Sequence, residues 1–486
     1  MNRRKFLFGV SILGFLPEKV LAAFSQISTF KPNGGGGAAT PTLVQHVGST
    51  LDDNNGEANN NYKFCLPNPT LTGNCLILGI TFPYSACRTV SITDSTGDTW
   101  TLAATQTTDS VNQAQRIYTV ANATPALHTI TITFDTILKA VSYEISEFYN
   151  IALTSPVDGT KGAANSTGPN VAVGSYTPST NNDANGGHLI WTIARSNDKV
   201  GTLTANMASN IVGTASTALL AADNTCSIPG ASSFVVQGTL SAINPGFTIT
   251  QSSSTNFVTT SVALKAANAG TAPGAGIRIK RILHTTWTAG SSVFQCPCDG
   301  NLLFTALSAG DNLNAVSSVT DSNGQTYTNP GASGEPQCFY KQNATPANNL
   351  KITYVAGGPQ FSMRFYDIVG AQTSSFNAVS GANGANPGSG NVTIAMPVHT
   401  PTVAPGLTIS TVGFGTGPGT GMGAGSPAGS VFDLEWASTE TDQSRMENAD
   451  AVGHLYYSTT ATQNWIFSIG NASRGSTAFA TAISFL

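Results

Sequence analysis

The chain has 486 residues, 40% of them hydrophobic and only 9% charged, with 21 Lys and Arg against 25 Asp and Glu. Soluble proteins carry about 25% charged residues, so Ser, Thr, Asn and Gly must supply most of the polar surface. Charge this sparse and net acidic excludes an electrostatic grip on nucleic acid or a polybasic membrane contact, and the supply of β-branched and aromatic residues excludes disorder.

The first segment reads as an export signal. Arg3-Arg4-Lys5-Phe6-Leu7 opens an apolar run over residues 6–16, and Ala22 and Ala23 offer small residues for cleavage. This is the pattern of a twin-arginine-like signal peptide over residues 1–23. Gly9, Gly14 and Pro17 interrupt the run, which falls short of the roughly 20 apolar residues of a membrane anchor. No transmembrane anchor is expected after cleavage, and the expected location is the periplasm, the cell surface or the extracellular space. Residues 24–40, with Gly34-Gly35-Gly36-Gly37, form a flexible leader.

From residue 41 the chain is written twice. Thr93-Asp94-Ser95-Thr96-Gly97-Asp98-Thr99-Trp100 returns as Thr320-Asp321-Ser322-Asn323-Gly324-Gln325-Thr326-Tyr327, and Asn122-Ala123-Thr124-Pro125 returns as Asn343-Ala344-Thr345-Pro346. Phe148-Tyr149-Asn150-Ile151 matches Phe365-Tyr366-Asp367-Ile368. Anchors in one order mark a tandem duplication. The first unit covers 41–265, a linker 266–277 and the second unit 278–486.

Within each unit the period is two. Ile130, Ile132 and Phe134 alternate with Thr129, Thr131 and Thr133, and Leu350, Ile352 and Tyr354 repeat the pattern. Residues 189–193 pair with 407–412 as a second equivalent strand, and 258–264 with 479–485 as a third. The repeated Thr-Asp-Ser block predicts a turn in which Asp94 or Asp321 accepts the backbone N–H two residues on and Gly97 or Gly324 takes a positive φ. The fold class expected is all-β: two tandem antiparallel β-sandwich domains of jelly-roll-like or concanavalin-like topology, or two smaller sandwiches per unit. Arg278 and Lys280 read as a solvated strand edge. The copies diverge most at 194–215 and 413–429, where loops on a rigid sandwich would place binding.

The order of these turn, loop and strand motifs resembles poorly characterised bacterial secreted β-sandwich repeats. The resemblance implies export and a sandwich, and carries over no functional residue.

Candidates for chemistry are few. Asp94, Thr96 and Asp98 place oxygens at every second position, as a calcium loop does, but the second copy has Asp321, Asn323 and Gln325 with no bidentate Glu downstream. Asp94, Asp98 and Asp321 are thus the metal candidates, with calcium the ion and otherwise no cofactor. Glu144 and Glu147 fall on opposite faces of a strand, which spoils joint acid/base work. Asp433 and Glu435 would share a face, but Val431 stands where concanavalin-like glycosidases carry a first Glu.

The plain reading of Asp433 and Glu435 is a salt-bridged or solvated pair and that of Trp436 and Trp465 is core packing; weighed against it, the four are the ligand-binding candidates, with a glycan as the ligand. The six histidines show no metal spacing, with His46 and His284 near the first strand of each unit. Cys65, Cys75, Cys87, Cys296 and Cys298 are disulfide candidates, while the odd total of 7 leaves a thiol over. Nothing recommends an enzyme. The expectation is extracellular binding or adhesion to a glycan or cell-surface polymer, and the alternative is a structural subunit that self-associates by strand-edge pairing.

Overall fold

The computed structural model describes residues 39–50, 59–83, 90–108, 113–138, 141–164, 170–196, 217–221, 230–248, 257–288, 292–308, 316–331, 337–354, 360–383, 390–395, 398–414, 419–422, 424–435, 449–472 and 479–486. The segments expected to form a signal peptide and leader lie outside them up to residue 38, as do Cys87 and Trp436. Among the described residues the chain is all-β, and its sheets are antiparallel apart from one strand pair.

The period-two segments form strands as the alternation requires. In Thr129–Leu138 the side chains of Ile130, Ile132 and Phe134 are buried while the intervening threonines are half-buried. Both turns form as well. Asp94 Oδ1 accepts Thr96 N at 2.9 Å and Asp321 Oδ1 accepts Asn323 N at 2.9 Å, with Gly97 at φ 78° and Gly324 at φ 70°. The loop asparagines Asn122 and Asn343 also match, both at positive φ.

The two copies share their sheets. The central sheet has nine strands. The first copy supplies Thr101–Thr108, Gln113–Val120, Cys75–Pro83, Ser142–Tyr149 and Thr42–Thr50. The second continues with Arg278–Thr288, Gln360–Val369, Leu302–Ser308 and Gln337–Gln342. Thr42–Thr50 and Arg278–Thr288 meet in parallel at the seam, so the copies run outward from it in matching order and an approximate two-fold lies along it. Arg278 and Lys280 therefore stand at the middle of a sheet, not on a solvated edge. Arg278 donates to the Val44 carbonyl across the seam at 2.7 Å.

An eight-stranded sheet covers one face of the central sheet. It joins Val316–Asp321, Ala347–Tyr354 and Ser292–Cys298 of the second copy to Thr217–Ala221, Gly230–Gln237, His188–Ser196, Phe257–Lys265 and Val157–Ala164 of the first. The opposite face is covered by a four-stranded and a five-stranded sheet. These abut at Asp433, because Val431–Phe432 pairs with Ala449–Tyr457 while Leu434–Glu435 crosses to Asn59–Cys65 of the first copy.

Burial explains why the layers hold. Cys75–Pro83 is buried at eight consecutive positions, so both its faces lie in cores. Leu76, Leu78, Ile80 and Phe82 enter the large core that also holds Ile282, Phe304 and Tyr366, whereas Ile77 packs with Leu189, Trp191 and Val262. Each large aliphatic or aromatic side chain fully withdrawn from water contributes about 1.5–3 kcal/mol. Gly79 leaves room for Trp191, whose ring would lie 2.6 Å from a Cβ at that position.

The linker is tied down rather than loose. Asn74 bonds both Thr271 N and Thr271 O, and Ala266 N donates to the Gly187 carbonyl. One sequence anchor is out of register with the fold. Phe148 faces Cys75 and Ile368 faces Leu302, so Phe148 corresponds to Ile368 and not to Phe365. Of the divergent segments, 197–215, 415–418 and 423 lie outside the described residues, and the glycine-rich one contains a strand, Gly419–Met422, paired with Ile466–Ala472.

Candidate functional site

The repeated turn gathers Asp94, Asp98 and His128, whose ligand atoms lie within 4.8 Å of one another. Three such groups could hold an ion. Asp321, the third sequence candidate, belongs to the second turn. His128 Nε2 lies 2.8 Å from the Thr124 carbonyl, which only accepts, so that nitrogen carries a proton. Its Nδ1 lies 2.9 Å from Asp94 Oδ2. Burial opposes the charged ring, yet the Asp94 carboxylate and the Thr124 carbonyl hold His128 above its ordinary value. Burial likewise opposes ionised Asp94, while the His128 and Thr96 bonds hold it below the usual range. A doubly protonated imidazole has no lone pair for a metal.

The second copy shows what the group does. Gln325 Nε2 donates to Asp321 Oδ2 at 2.7 Å and to the Thr345 carbonyl at 3.0 Å, the two kinds of acceptor that His128 spans. Gln325 Oε1 accepts Thr345 N at 2.9 Å, as Asp98 Oδ2 accepts Thr124 N at 2.8 Å. What repeats is a strut between turn and loop, built from an imidazole in one copy and an amide in the other.

A second repeated arrangement escaped the sequence reading. Glu147 is buried in the central sheet and accepts Leu71 N at 3.0 Å, Asn74 Nδ2 and Gln45 Nε2. Asp367 occupies the matching place, accepting Gly300 N at 2.7 Å and the Arg281 guanidinium. Asn74 and Asn301 brace both copies, receiving Ala123 N and Ala344 N on their carbonyls. Burial pushes both carboxyls up, with Arg281 opposing this at Asp367. Arg281 and Lys280 hold the neighbouring Asp299 well below its ordinary value despite partial burial. The misregistered Phe-Tyr-Asx-Ile match hid this pair, since it set Asp367 against Asn150. Counting residues from the turn motif sets Asn74 against Asn301 but sets Glu147 against Ser374, so a single offset finds the asparagines and misses the carboxylates.

Ser146, His46 and Glu144 have the residue types of a hydrolytic triad but not its setting. His46 Nδ1 lies 2.9 Å from Ser146 Oγ, which also receives Trp191 Nε1–H at 3.3 Å. His46 Nε2 stands 3.8 Å from Glu144 Oε2, beyond hydrogen-bond range. Burial, aided by Arg281, brings His46 down to about 3, and burial pushes Glu144 up to about 8. All three are sealed between two sheets, where no substrate reaches the hydroxyl. His284 is not the counterpart of His46, since it meets Ser49 across the seam.

The glycan candidates fare as follows. Trp465 is fully buried, its Nε1 donating to Gln463 Oε1, so it has no face to offer a sugar ring. Asp433 is equally buried and does not share a strand face with Glu435, because the strand breaks at Asp433. Its carboxylate accepts Tyr366 Oη–H at 2.8 Å and meets His454 Nδ1, while His454 Nε2 donates to the Pro67 carbonyl. The side chain of Glu435 and the whole of Trp436 lie outside the described residues.

Among the disulfide candidates, Cys65, Cys75 and Cys298 are buried thiols. They sit in separate places: Cys65 against Thr129 Oγ1, Cys75 beside Ile77 and Trp191, Cys298 bonded to the Ala347 carbonyl. Burial pushes Cys75 and Cys298 up to about 12, which leaves them inert. The Cys296 side chain and Cys87 lie outside the described residues.

No helix among the described residues is long and apolar enough to cross a membrane. No protein-family model matches the chain, and no curated protein matches it.

Proposed function

We propose that the chain is an exported, non-enzymatic β-sandwich scaffold that works by association at its surface, through pairing of its own sheet edges. The observation that carries this reading is the contrast between interior and edges. Groups able to do chemistry are withdrawn into struts and cores: all six histidines are buried. Several sheet ends, in turn, are nearly bare of charge: Thr101–Thr108 and Phe376–Asn383 contain none, and Val90–Asp94 and Val316–Asp321 contain only the turn aspartates, whereas Val157–Ala164 carries Asp158 and Lys161 and Gln337–Gln342 carries Lys341. Natural sheets that stay apart guard their edges with Lys, Pro and inward charges.

Adhesion to a glycan is the weaker reading, since Trp465 and Asp433 are unavailable and only Glu435 and Trp436 of the set would be left to carry it. Calcium at Asp94, Asp98 and Asp321 is weaker still, because the carboxylate oxygens it would need are already engaged, Asp94 by Thr96 and His128, Asp98 by Thr124 and Asp321 by Asn323 and Gln325. Light scattering on the mature protein across a dilution series tests the main reading. Concentration-dependent assemblies are expected, and a monomer at every concentration overturns it. A glycan array that finds a ligand lost on Trp436→Ala would replace it with the adhesion reading.

A further inference from the structure

We infer that Thr101–Thr108 is the edge through which one copy of the chain pairs with a second copy, in antiparallel register about a two-fold axis. This rests on the self-association reading above and names its surface. Among the described residues the strand is the outermost member of the nine-stranded sheet, and its eight residues, Thr-Leu-Ala-Ala-Thr-Gln-Thr-Thr, include neither charge nor proline.

Five other outer strands of five or more residues are each encumbered. Val90–Asp94 has only five residues and ends in the His128 strut. Val316–Asp321 ends in the Gln325 strut. Val157–Ala164 carries Asp158 and Lys161. Gln337–Gln342 carries Lys341 and is bridged by Thr328. Phe376–Asn383 is held by Thr402 at Asn377 and by His399 at Ser380.

On Thr101–Thr108, by contrast, Thr105 and Thr107 are exposed and Leu102 is 49% exposed. The irregularity between Leu102 and Ala104 leaves Ala104 to Thr108 in unbroken register with Gln113 to Ile117. Gln106 packs where a Cβ on Gly162 would stand, which fastens the strand to the neighbouring sheet and keeps it presented.

A second copy is the occupant the molecule itself indicates. The central sheet already exists because two copies of the unit joined strand to strand, Thr42–Thr50 beside Arg278–Thr288. Pairing at Thr101–Thr108 continues the same sheet at its far end. An isologous contact sets the strand against itself, and like charges directly opposite are the usual obstacle to that. Here there are none.

The test compares two double variants of the mature full-length protein by light scattering, with thermal melts to confirm folding. Thr105→Lys with Thr107→Lys should halve the mass of the associated species and leave the melting midpoint in place. Ser91→Lys with Thr93→Lys should leave the mass unchanged. Thr105→Glu with Thr107→Glu repeats the first arm with opposite charge, should one pair of lysines unfold the sheet. If the associated species survives both edge variants, this strand is the wrong one although self-association stands. If wild type is a monomer throughout, the broader reading falls with it.

Discussion

The two copies solve one problem with different chemistry. Each must anchor the turn that leads into a strand buried on both faces, and each uses a buried carboxylate that receives backbone N–H from that turn. In the first copy Glu147 is met by neutral donors, Gln45 and Asn74. In the second Asp367 is met by Arg281, itself buried and shared with Asp299. A neutral cage leaves a carboxyl whose burial is only partly offset. An ionic cage commits two opposite charges to each other in a medium where neither can be left alone.

The contrast predicts unequal penalties. Asp367→Ala strands the Arg281 guanidinium with only the half-exposed Asp299 and should cost about 3–5 kcal/mol, the usual range for breaking a buried pair from one side. Glu147→Ala takes the acceptor from Leu71 N and from one N–H each of Asn74 and Gln45, which keep the Thr271 and Asn68 carbonyls, strands no charge, and should cost about 2–3 kcal/mol. Denaturant unfolding of both variants checks the order. Equal losses would mean that the guanidinium finds water or another acceptor, and that the cages differ in appearance only.

How much of this was written in the sequence depends on the range of the interaction. Turns are local, so Asp94, Gly97 and their repeats could be read from residue type and spacing alone. Strand alternation was equally legible at Ile130 to Phe134, where one face meets a core and the other stays half wet. The shared layers were not, because strand partners hundreds of residues apart leave no periodic trace. A hint existed in Cys75-Leu76-Ile77-Leu78, an unbroken apolar run of the kind that marks a strand buried on both faces. Trp465 and Asp433 misled for a related reason. A lone Trp or carboxylate looks the same in sequence whether the layer above it is water or another sheet.

The strut offers a finer probe of the same comparison, since His128→Gln replaces its imidazole with a neutral amide, the group that Gln325 supplies in the second copy. Its cost near neutral pH should be under about 1 kcal/mol, the scale of one net hydrogen bond. The pH dependence is more telling. His128 is raised in the folded state, so its contribution is complete below the unfolded value of 6.5 and is lost as pH rises through the higher folded value. Asp94 is lowered, so its contribution is complete above the unfolded value of 3.8 and is lost as pH falls through the lower folded value. Glu144, raised from 4.5 to about 8, adds a decline with rising pH in both proteins. The difference between their stability curves is therefore the readout. It should shrink above pH 6.5, and a constant offset across that range would show that His128 is uncharged.

The smallest expected effect comes from cutting the chain between the copies. A protease site placed after Gly274, which has open space around it, severs the covalent link while leaving the strand pairings that cross the copies. These are Thr42–Thr50 with Arg278–Thr288, Asn59–Cys65 with Leu434–Glu435, and Thr217–Ala221 with Ser292–Cys298. Asn68 adds a further tie, donating to the Ile279 carbonyl and accepting Tyr456 Oη–H. Separation would expose the central core along the seam, where Val47 of one copy and Ile282 of the other belong to one cluster. The cut protein should run at the mass of the intact chain, with its melting midpoint lowered only by the loss of linkage. Two separate half-mass species would mean that each copy closes its own core, and that the seam is a contact between finished domains rather than the interior of one fold.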